Sequence, residues 1–314
     1  MELIVIGHIL NEIIRYPSKT IGPVLGSPAA YTSIAAGRLG LKVGLVSKCG
    51  PDFPREFIAE FEKAGVDLLG LDRNDVTTSN YLIYDERGRK KIEYLKKASS
   101  IKFEDVPSKY FEDCQIAHVC PMDFEVPVET IRELKKHVRL LSVDLGGYGG
   151  ATSSRHPVKD SLAAEAFKNV ISYFDIVRAS IEDCTLIFGE KNDLARKAIE
   201  FFLNTGADVA IITLGGEGAL IKTKDGPAYY VKAFPSDVKD VTGAGDVFTA
   251  GFLTGFIRTG DPLRSTLYGN AVASIVISRV GGAKAERMPT LPEVTRIVES
   301  MDASKLLQRI ELLG

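Results

Sequence analysis

Asp240-Val241-Thr242-Gly243-Ala244-Gly245-Asp246, running on into Val247-Phe248-Thr249-Ala250-Gly251-Phe252, is the stretch from which the rest of the chain can be read. Phe248, Phe252 and Phe256 recur at helical spacing, so an apolar helix opens at the glycines. Gly243 and Gly245 have no Cβ, and another molecule can come close to their backbone. The N–H groups of Gly243, Ala244, Gly245 and Asp246 are expected to point out of the helix start. About half a positive charge accumulates there, which makes it an anion site. A carboxylate in that first turn is out of place if the only task is to hold an anion. It fits if Asp246 takes the proton from a hydroxyl that attacks a phosphoryl group held by those amides.

The remaining composition sets few limits but useful ones. The chain has 314 residues, is 45% hydrophobic and 25% charged, and carries a formal charge of −2, as a globular α/β protein does. So small a charge argues against nucleic acid as a partner. No apolar run approaches the roughly 20 residues of a membrane span, and Met1-Glu2 leads straight into Leu3-Ile4-Val5-Ile6. A cytoplasmic protein without a signal peptide or membrane contact is therefore expected. Cys49, Cys114, Cys120 and Cys184 show no metal-type spacing and read as free thiols.

Outward from the loop, apolar strands alternate with helices. Leu3–Ile6, Val43–Ser47, Val66–Leu71, Ile116–Val119, Leu140–Val143, Ile176–Arg178 and Val209–Leu214 read as strands. Ser27 and Pro28 open a helix that Gly40 stops. Such alternation predicts a mostly parallel sheet with helices on both faces. Two hairpins interrupt it: Thr77–Tyr84 with Lys90–Leu95 across Asp85-Glu86-Arg87-Gly88-Arg89, and Ala219–Thr223 with Tyr229–Lys232. Helices are expected from Gly245 to the end. Ligands of open parallel sheets bind beyond the carboxyl ends of the strands, where Glu12, Ser47–Asp52, Asp144 and the Gly243 loop fall.

The 240–246 stretch resembles the Asp-Thr-Thr-Gly-Ala-Gly-Asp signature of the PfkB (ribokinase-like) carbohydrate kinases, and the likeness extends over nearly the whole chain. It implies a ribokinase-like three-layer α/β fold, one kinase domain over 1–314, and a small β lid from about 13–25 and 77–95. It also implies Asp246 as catalytic base and Gly243, Ala244 and Gly245 as the anion hole. Gly26-Ser27-Pro28-Ala29-Ala30-Tyr31, ending Arg38-Leu39-Gly40, is similar to the family's acceptor-binding helix, with Ser27 for its second Gly and Tyr31 for its Asn. Glu12 stands for the Asp that holds sugar hydroxyls, and Asp52 lies in a turn similar to one near the acceptor. Thr213-Leu214-Gly215-Gly216-Glu217-Gly218 resembles the turn that lines the nucleotide site. Asn270 and Gly282 fall in regions that wall the adenine pocket.

The resemblance further implies ATP and Mg²⁺ as cofactors. Asp183, in Ser180-Ile181-Glu182-Asp183, and Asp144 would hold Mg²⁺ through water. The Arg that commonly follows the family's Asp144 is missing, and Arg155 is the nearest substitute in sequence. Asp240 would support the loop or a monovalent cation such as K⁺. The His8 start, Leu25-Gly26, Ala30-Tyr31, Lys96-Lys97-Ala98-Ser99 and Val143-Asp144 are similar to myo-inositol-kinase-like members. A cyclitol is thus the expected acceptor, with ribose, another sugar or a nucleoside as alternatives; Tyr31 or Phe53 would give a nucleoside its base slot. A homodimer through the lid is a further expectation. The altered Ser27, Tyr31, Ser180 and Asp183 leave a second class of reading, a non-catalytic sugar or nucleotide sensor. A dinucleotide-dependent oxidoreductase fails, because Gly7-His8-Ile9-Leu10 carries no Gly-x-Gly-x-x-Gly.

Overall fold

Strands buried on both faces read as unbroken apolar runs, and the predicted strands form as such a set. The computed structural model describes residues 1–86, 90–300 and 303–310; Arg87-Gly88-Arg89 of the expected hairpin turn lie outside the described residues. The strands are β1 (Leu3–Ile6), β2 (Leu10–Arg15), β3 (Thr20–Gly26), β4 (Val43–Lys48), β5 (Asp67–Asp72), β6 (Thr78–Tyr84), β7 (Lys90–Lys96), β8 (Ile116–Val119), β9 (Leu140–Asp144), β10 (Ile176–Ser180), β11 (Val209–Thr213), β12 (Gly218–Thr223), β13 (Ala228–Lys232) and β14 (Leu307–Ile310). The helices are α1 (Pro28–Arg38), α2 (Arg55–Lys63), α3 (Val128–His137), α4 (Ser161–Ile171), α5 (Ile181–Phe188), α6 (Leu194–Thr205), α7 (Ala244–Thr259), α8 (Pro262–Ile277), α9 (Leu291–Ser300) and α10 (Ala303–Leu306).

Ten strands make one sheet in the order β14-β13-β12-β11-β10-β9-β8-β1-β4-β5. From β11 to β5 all neighbours are parallel; β12, β13 and β14 add antiparallel edge strands. Side chains alternate between faces, and two cores result. Leu3 and Val5 of β1 pack with α1, α7 and α8, while Ile4 and Ile6 pack with α3, α4 and α6. This is the expected three-layer arrangement, a mostly parallel sheet with helices on both faces. One expectation fails at the end of the chain: Leu307–Ile310 is a strand, because Val231↔Leu307 and Ala228↔Ile310 pair the otherwise open edge of β13.

The same alternation explains a polar stripe in the middle of the sheet. His118, Ser142, Asp144, Arg178 and Thr213 share the α7 face, while Ala117, Val119, Leu141, Val143, Val177 and Ala179 point the other way. His118 Nδ1 is 3.1 Å from Ser142 Oγ. Burial first, and the Arg178 charge second, push the His118 pKa down to about 3, so the ring is neutral.

Four further strands form a small sheet, β3-β2-β6-β7, from the segments expected to make the lid. Its β6–β7 pair is antiparallel as anticipated, and β2 runs parallel to β6. The small sheet is tied down by Tyr94, whose hydroxyl donates to the Thr152 carbonyl at 2.8 Å. Tyr16 and Tyr84 stack with centroids 5.1 Å apart.

α1 starts where the sequence predicts. Ser27 Oγ accepts from Ala30 N–H at 3.1 Å, and Pro28 occupies the first helical position. Yet Ser27 has φ 108° and ψ 151°, a conformation close to glycine-only space. Ser27→Gly relieves strain of about 1–3 kcal/mol, gives up a few tenths through the cap, and adds about 0.5–1 kcal/mol of unfolded-state entropy. A net gain on the order of 1 kcal/mol in urea unfolding is expected; a lower midpoint would mean the Ser cap outweighs the strain.

Candidate active site

The C-terminal ends of β9 and β10, the start of α7 and the small sheet enclose a cavity of about 360 Å³. Glu12, Ser27, Tyr31, Asp144, Arg178, Ser180, Glu182, Asp183 and Val241–Asp246 line its polar side; Leu82, Tyr84, Ile92 and Met122 line the apolar one. The sequence-predicted residues Asp246, Gly243, Ala244, Gly245, Glu12, Ser27, Tyr31, Asp144 and Asp183 are thus brought to one place from five separate segments.

Gly243 is the N-cap of α7 with φ 77°. A Cβ there would lie 2.5 Å from the Tyr31 ring, so both its backbone angle and its packing require glycine. A Cβ on Gly245 would lie 2.5 Å from Arg178 Nη2. Helix starts leave amides without intrahelical acceptors, but one expectation needs correcting: Ala244 N–H donates to the Val241 carbonyl at 3.1 Å. The turn that swings the chain into α7 consumes that donor. Asp246 sits in the first helical turn, its carbonyl accepting from the Thr32 hydroxyl at 3.2 Å.

Beneath this loop lies a residue the sequence reading did not assign. Arg178 is 6% exposed, donates from Nη1 to Asp144 Oδ2 at 2.6 Å and from Nη2 to Thr213 Oγ1 at 2.5 Å. Its Nε is buried without a partner. Burial opposes the charge, but Asp144, Asp183 and Asp246 outweigh that effect and hold the guanidinium more basic than usual. Arg178, and not Arg155, is the arginine of Asp144; Arg155 lies over the Phe124 ring. The strand register pairs Asp144 with Arg178 directly. A lone charge inside the apolar run Ile176-Val177-Arg178-Ala179 was the signal available.

The other predicted residues are placed as follows. Glu12 is 6% exposed, and a Cβ on Gly26 would lie 3.0 Å from its Oε2, so Gly26 makes room for that carboxylate. Burial raises the Tyr31 phenol pKa, with Arg287 opposing. Burial first, and Tyr16 and Glu12 next, push the Tyr84 phenol up to about 12, while a hydrogen bond with Thr242 opposes them. Asp52 lies elsewhere: it accepts from the Thr77 hydroxyl at 2.5 Å and lines a separate cleft with Asn11, Ser79 and Lys96. The short turn after Cys49 turns it away from the Asp246 cavity. Phe53, considered as a base slot, is 2% exposed and belongs to the core.

Thr213, Gly215 and Gly218 form the tight β11–β12 link, with Leu214 N–H on the Gly218 carbonyl at 2.8 Å and open space beside Gly215. Asn270 is 5% exposed, and its Nδ2 donates to the carbonyls of Val231 (3.2 Å) and Lys232 (3.0 Å), tying α8 to β13. Gly282 packs against β3, where a Cβ would meet the Leu25 carbonyl oxygen at 2.8 Å. Asp240 Oδ1 accepts from Thr242 N–H at 2.9 Å and Oδ2 from Gly281 N–H at 3.3 Å.

The carboxylates suit a hydrated Mg²⁺. Asp183 Oδ1 accepts from Ala151 N–H and Oδ2 from both Ser180 N–H and Oγ, each at 2.7 Å. Asp144 Oδ1 is engaged by Gly146 N–H at 3.1 Å. Among the described residues no group of three or more His, Cys, Asp or Glu side chains is arranged to hold a metal directly. Carboxylates already committed in this way would meet an ion through its waters, which Mg²⁺ keeps readily. Among the described residues no helix is long and apolar enough to cross a membrane. Cys49, Cys120 and Cys184 are buried free thiols, and Cys114 is half-buried.

Comparison with known proteins agrees with this geometry. The sequence profile described as pfkB family carbohydrate kinase matches residues 2–290. The cytidine kinase of Thermococcus kodakarensis is 27% identical over 268 residues, covering 84% of this chain and 91% of its own. An E. coli protein provisionally named ribokinase II, solved with ATP and Mg²⁺, superposes with a TM-score of 0.77 at 22% identity, over 96% of this chain and 99% of that one. A pyrophosphate-dependent kinase in the ribokinase family, complexed with a pyrophosphate analogue and myo-inositol, superposes with a TM-score of 0.74 at 20% identity, over 91% and 98%. Both structures share the fold.

Proposed function

The chain belongs to the pfkB family of carbohydrate kinases, and from that premise we propose that it transfers the γ-phosphoryl group of ATP to a hydroxyl of a small polyol, a cyclitol such as myo-inositol first among them. The observation that carries this reading is the meeting of Asp246, the Gly243–Gly245 turn and Arg178 at one wall of a cavity that Glu12 enters from another.

In this reading the acceptor lies between Glu12, which takes hydrogen bonds from its hydroxyls, and Asp246, which takes the proton of the attacking one. The acceptor oxygen bonds to the γ-phosphorus as the bond to the β-phosphate oxygen breaks, and ADP leaves. The amides at the start of α7 and the Arg178 guanidinium face the charge on the transferred group. Asp183 and Asp144 would hold, through water, an Mg²⁺ brought with ATP, which would offset charge on the phosphates. Thr213, Gly215 and Gly218 form the donor's side, where the open backbone at Gly215 admits close approach. Asn270, with its amide nitrogen committed to β13, retains only its carbonyl oxygen for a nucleotide. The small sheet acts as a lid: Tyr84 and Tyr94 hold it over the loop and exclude water, the competing nucleophile.

A cavity of about 360 Å³ is at the small end for ligand sites and favours a compact acceptor. The sharing of its fold with a kinase solved with myo-inositol points the same way. One observation favours a nucleoside instead: Leu82, Tyr84 and Ile92 form an apolar wall able to take a base, and the Thermococcus relative is a cytidine kinase.

The test is ADP release with Mg-ATP over myo-inositol, ribose, fructose, 2-keto-3-deoxygluconate, adenosine and cytidine. One acceptor far above the rest identifies the substrate. No acceptor-dependent release, with ATP binding shown separately, would favour the sensor or an acceptor outside this panel.

A further inference from the structure

Behind the catalytic loop a second arginine is buried more completely than the first. Arg287 is 1% exposed and is the last residue of a short helical turn, Ala285–Arg287, that follows α8 in the chain. Its guanidinium is encircled by main-chain oxygens. Nε donates to the carbonyls of Arg279 (3.2 Å) and Val276 (3.4 Å), Nη1 to those of Thr242 (3.2 Å) and Gly281 (2.5 Å), and Nη2 to that of Asp240 (2.9 Å). Asp240 Oδ2 lies 3.4 Å from Nη2. A guanidinium has five N–H donors, and every nitrogen here has an acceptor.

Five uncharged carbonyl oxygens and one carboxylate around a single positive charge make the kind of oxygen shell that serves a monovalent cation, since rings of carbonyls replace a hydration shell. The Val276 carbonyl comes from the end of α8 and that of Arg279 from just beyond it, where the helix dipole adds negative potential. Two others belong to Asp240 and Thr242, the residues immediately before Gly243. Without a positive charge at the centre, these oxygens would be desolvated and aimed at one another.

The resemblance drawn from the sequence implies a monovalent cation such as K⁺ at Asp240. These residues do not fit a free ion, because the place that the oxygens surround holds a side chain. We propose that Arg287 is the built-in monovalent cation of the catalytic loop, so that the enzyme works without K⁺ and becomes dependent on an added cation once that side chain is removed.

The structure links this cage to the chemistry in two ways. The Asp240 and Thr242 carbonyls fix the turn that gives Gly243 its φ of 77° and brings Gly245 over Arg178. The Tyr31 ring, against which Gly243 packs, lies with its centroid 5.9 Å from Arg287 Cζ. Arg287 is therefore a positioning residue: it touches neither acceptor nor phosphate and acts through the loop. A fixed guanidinium also keeps its charge at every working pH, and the cage costs no binding equilibrium with solvent ions.

The inference rests on the kinase reading for its rate measurement, and a thermal measurement stands apart from that reading. Wild-type protein and Arg287→Ala are compared at equal ionic strength in Na⁺, K⁺, Cs⁺, guanidinium and tetramethylammonium chlorides, the guanidinium kept to millimolar amounts. The wild type is expected to show turnover and Tm that vary little among Na⁺, K⁺, Cs⁺ and tetramethylammonium. Arg287→Ala is expected to lose at least about 10-fold in turnover, because displacing the reacting groups by about an ångström from a distance can cost up to roughly 100-fold. K⁺ or guanidinium, and not tetramethylammonium, should restore it saturably and raise Tm by at least about 3 °C. Wild-type turnover that rises several-fold with K⁺ overturns the proposal. So does an Arg287→Ala protein that is folded and fully active in Na⁺, or one that no cation rescues in either readout. If Arg287→Ala does not fold in any salt, the wild-type cation series decides alone. If no acceptor on the panel supports turnover, that outcome bears on the kinase reading alone, and the Tm series still decides whether the cage takes an ion.

Discussion

Asp246→Asn is expected to lower kcat by about 10²–10⁴-fold, the range for removing a general base, and to leave ATP affinity almost unchanged. The substitution keeps size and hydrogen bonding but removes the ability to accept a proton. Asp246 occupies the first turn of α7 with its carbonyl held by Thr32, so the backbone should stay in place. The loss should therefore fall on kcat with little effect on Tm. Coupled ADP release gives the rate, and equilibrium ATP binding gives the affinity. Near-wild-type turnover would take Asp246 out of the role of base.

Arg178→Met is the other substitution with a large expected effect, and it has two components. Removing one partner of a buried ion pair leaves Asp144 charged and unpaired, at a cost of about 3–5 kcal/mol. Removing a positive charge below the α7 amides costs transition-state stabilisation, by analogy with deleting one oxyanion donor about 10²–10³-fold in kcat. A second variant separates them. Asp144→Leu with Arg178→Met removes both charges, and replacement of a buried pair by apolar residues is often neutral for stability. Urea unfolding is expected to show the double variant recovering much of the lost stability, while turnover stays low. Recovery of both would mean that Arg178 serves the fold alone. Arg178→Lys, which keeps a charge but not the two-armed geometry, should fall between wild type and Arg178→Met.

The elements that position the site were largely legible along the chain. The α7 start, the Ser27-Pro28 opening of α1 and the apolar strands all follow from capping and periodicity. These act over a few residues, and the structure forms each of them. The hairpin pair at Thr78–Tyr84 and Lys90–Lys96 was readable for the same reason. Where the reading failed, the missing information was long-range. Nothing near Leu307–Ile310 shows that β13 leaves an edge open for it. Asp52 sits in a turn like one near an acceptor, yet its bond to Thr77, far along the chain, takes it to a different cleft.

The two buried arginines mark that boundary most clearly. Arg178 was visible as a charge in an apolar strand but went unassigned, and which carboxylate it meets depends on β9 lying beside β10 in register. Arg155 was closer in sequence and pairs with an aromatic ring instead. Arg287 gave no signal, flanked by Glu286 and Met288 at the end of a short helical turn. Its meaning comes from carbonyls of two segments that meet only when α8 packs against α7. The sequence by itself determined the start of α7, the opening of α1, most of the parallel strands and the family, because glycine placement, caps and apolar spacing are local. The tertiary structure alone decided which buried charges face one another, because removing a charge from water is tolerable only beside a partner, and partners are chosen by packing across the whole chain.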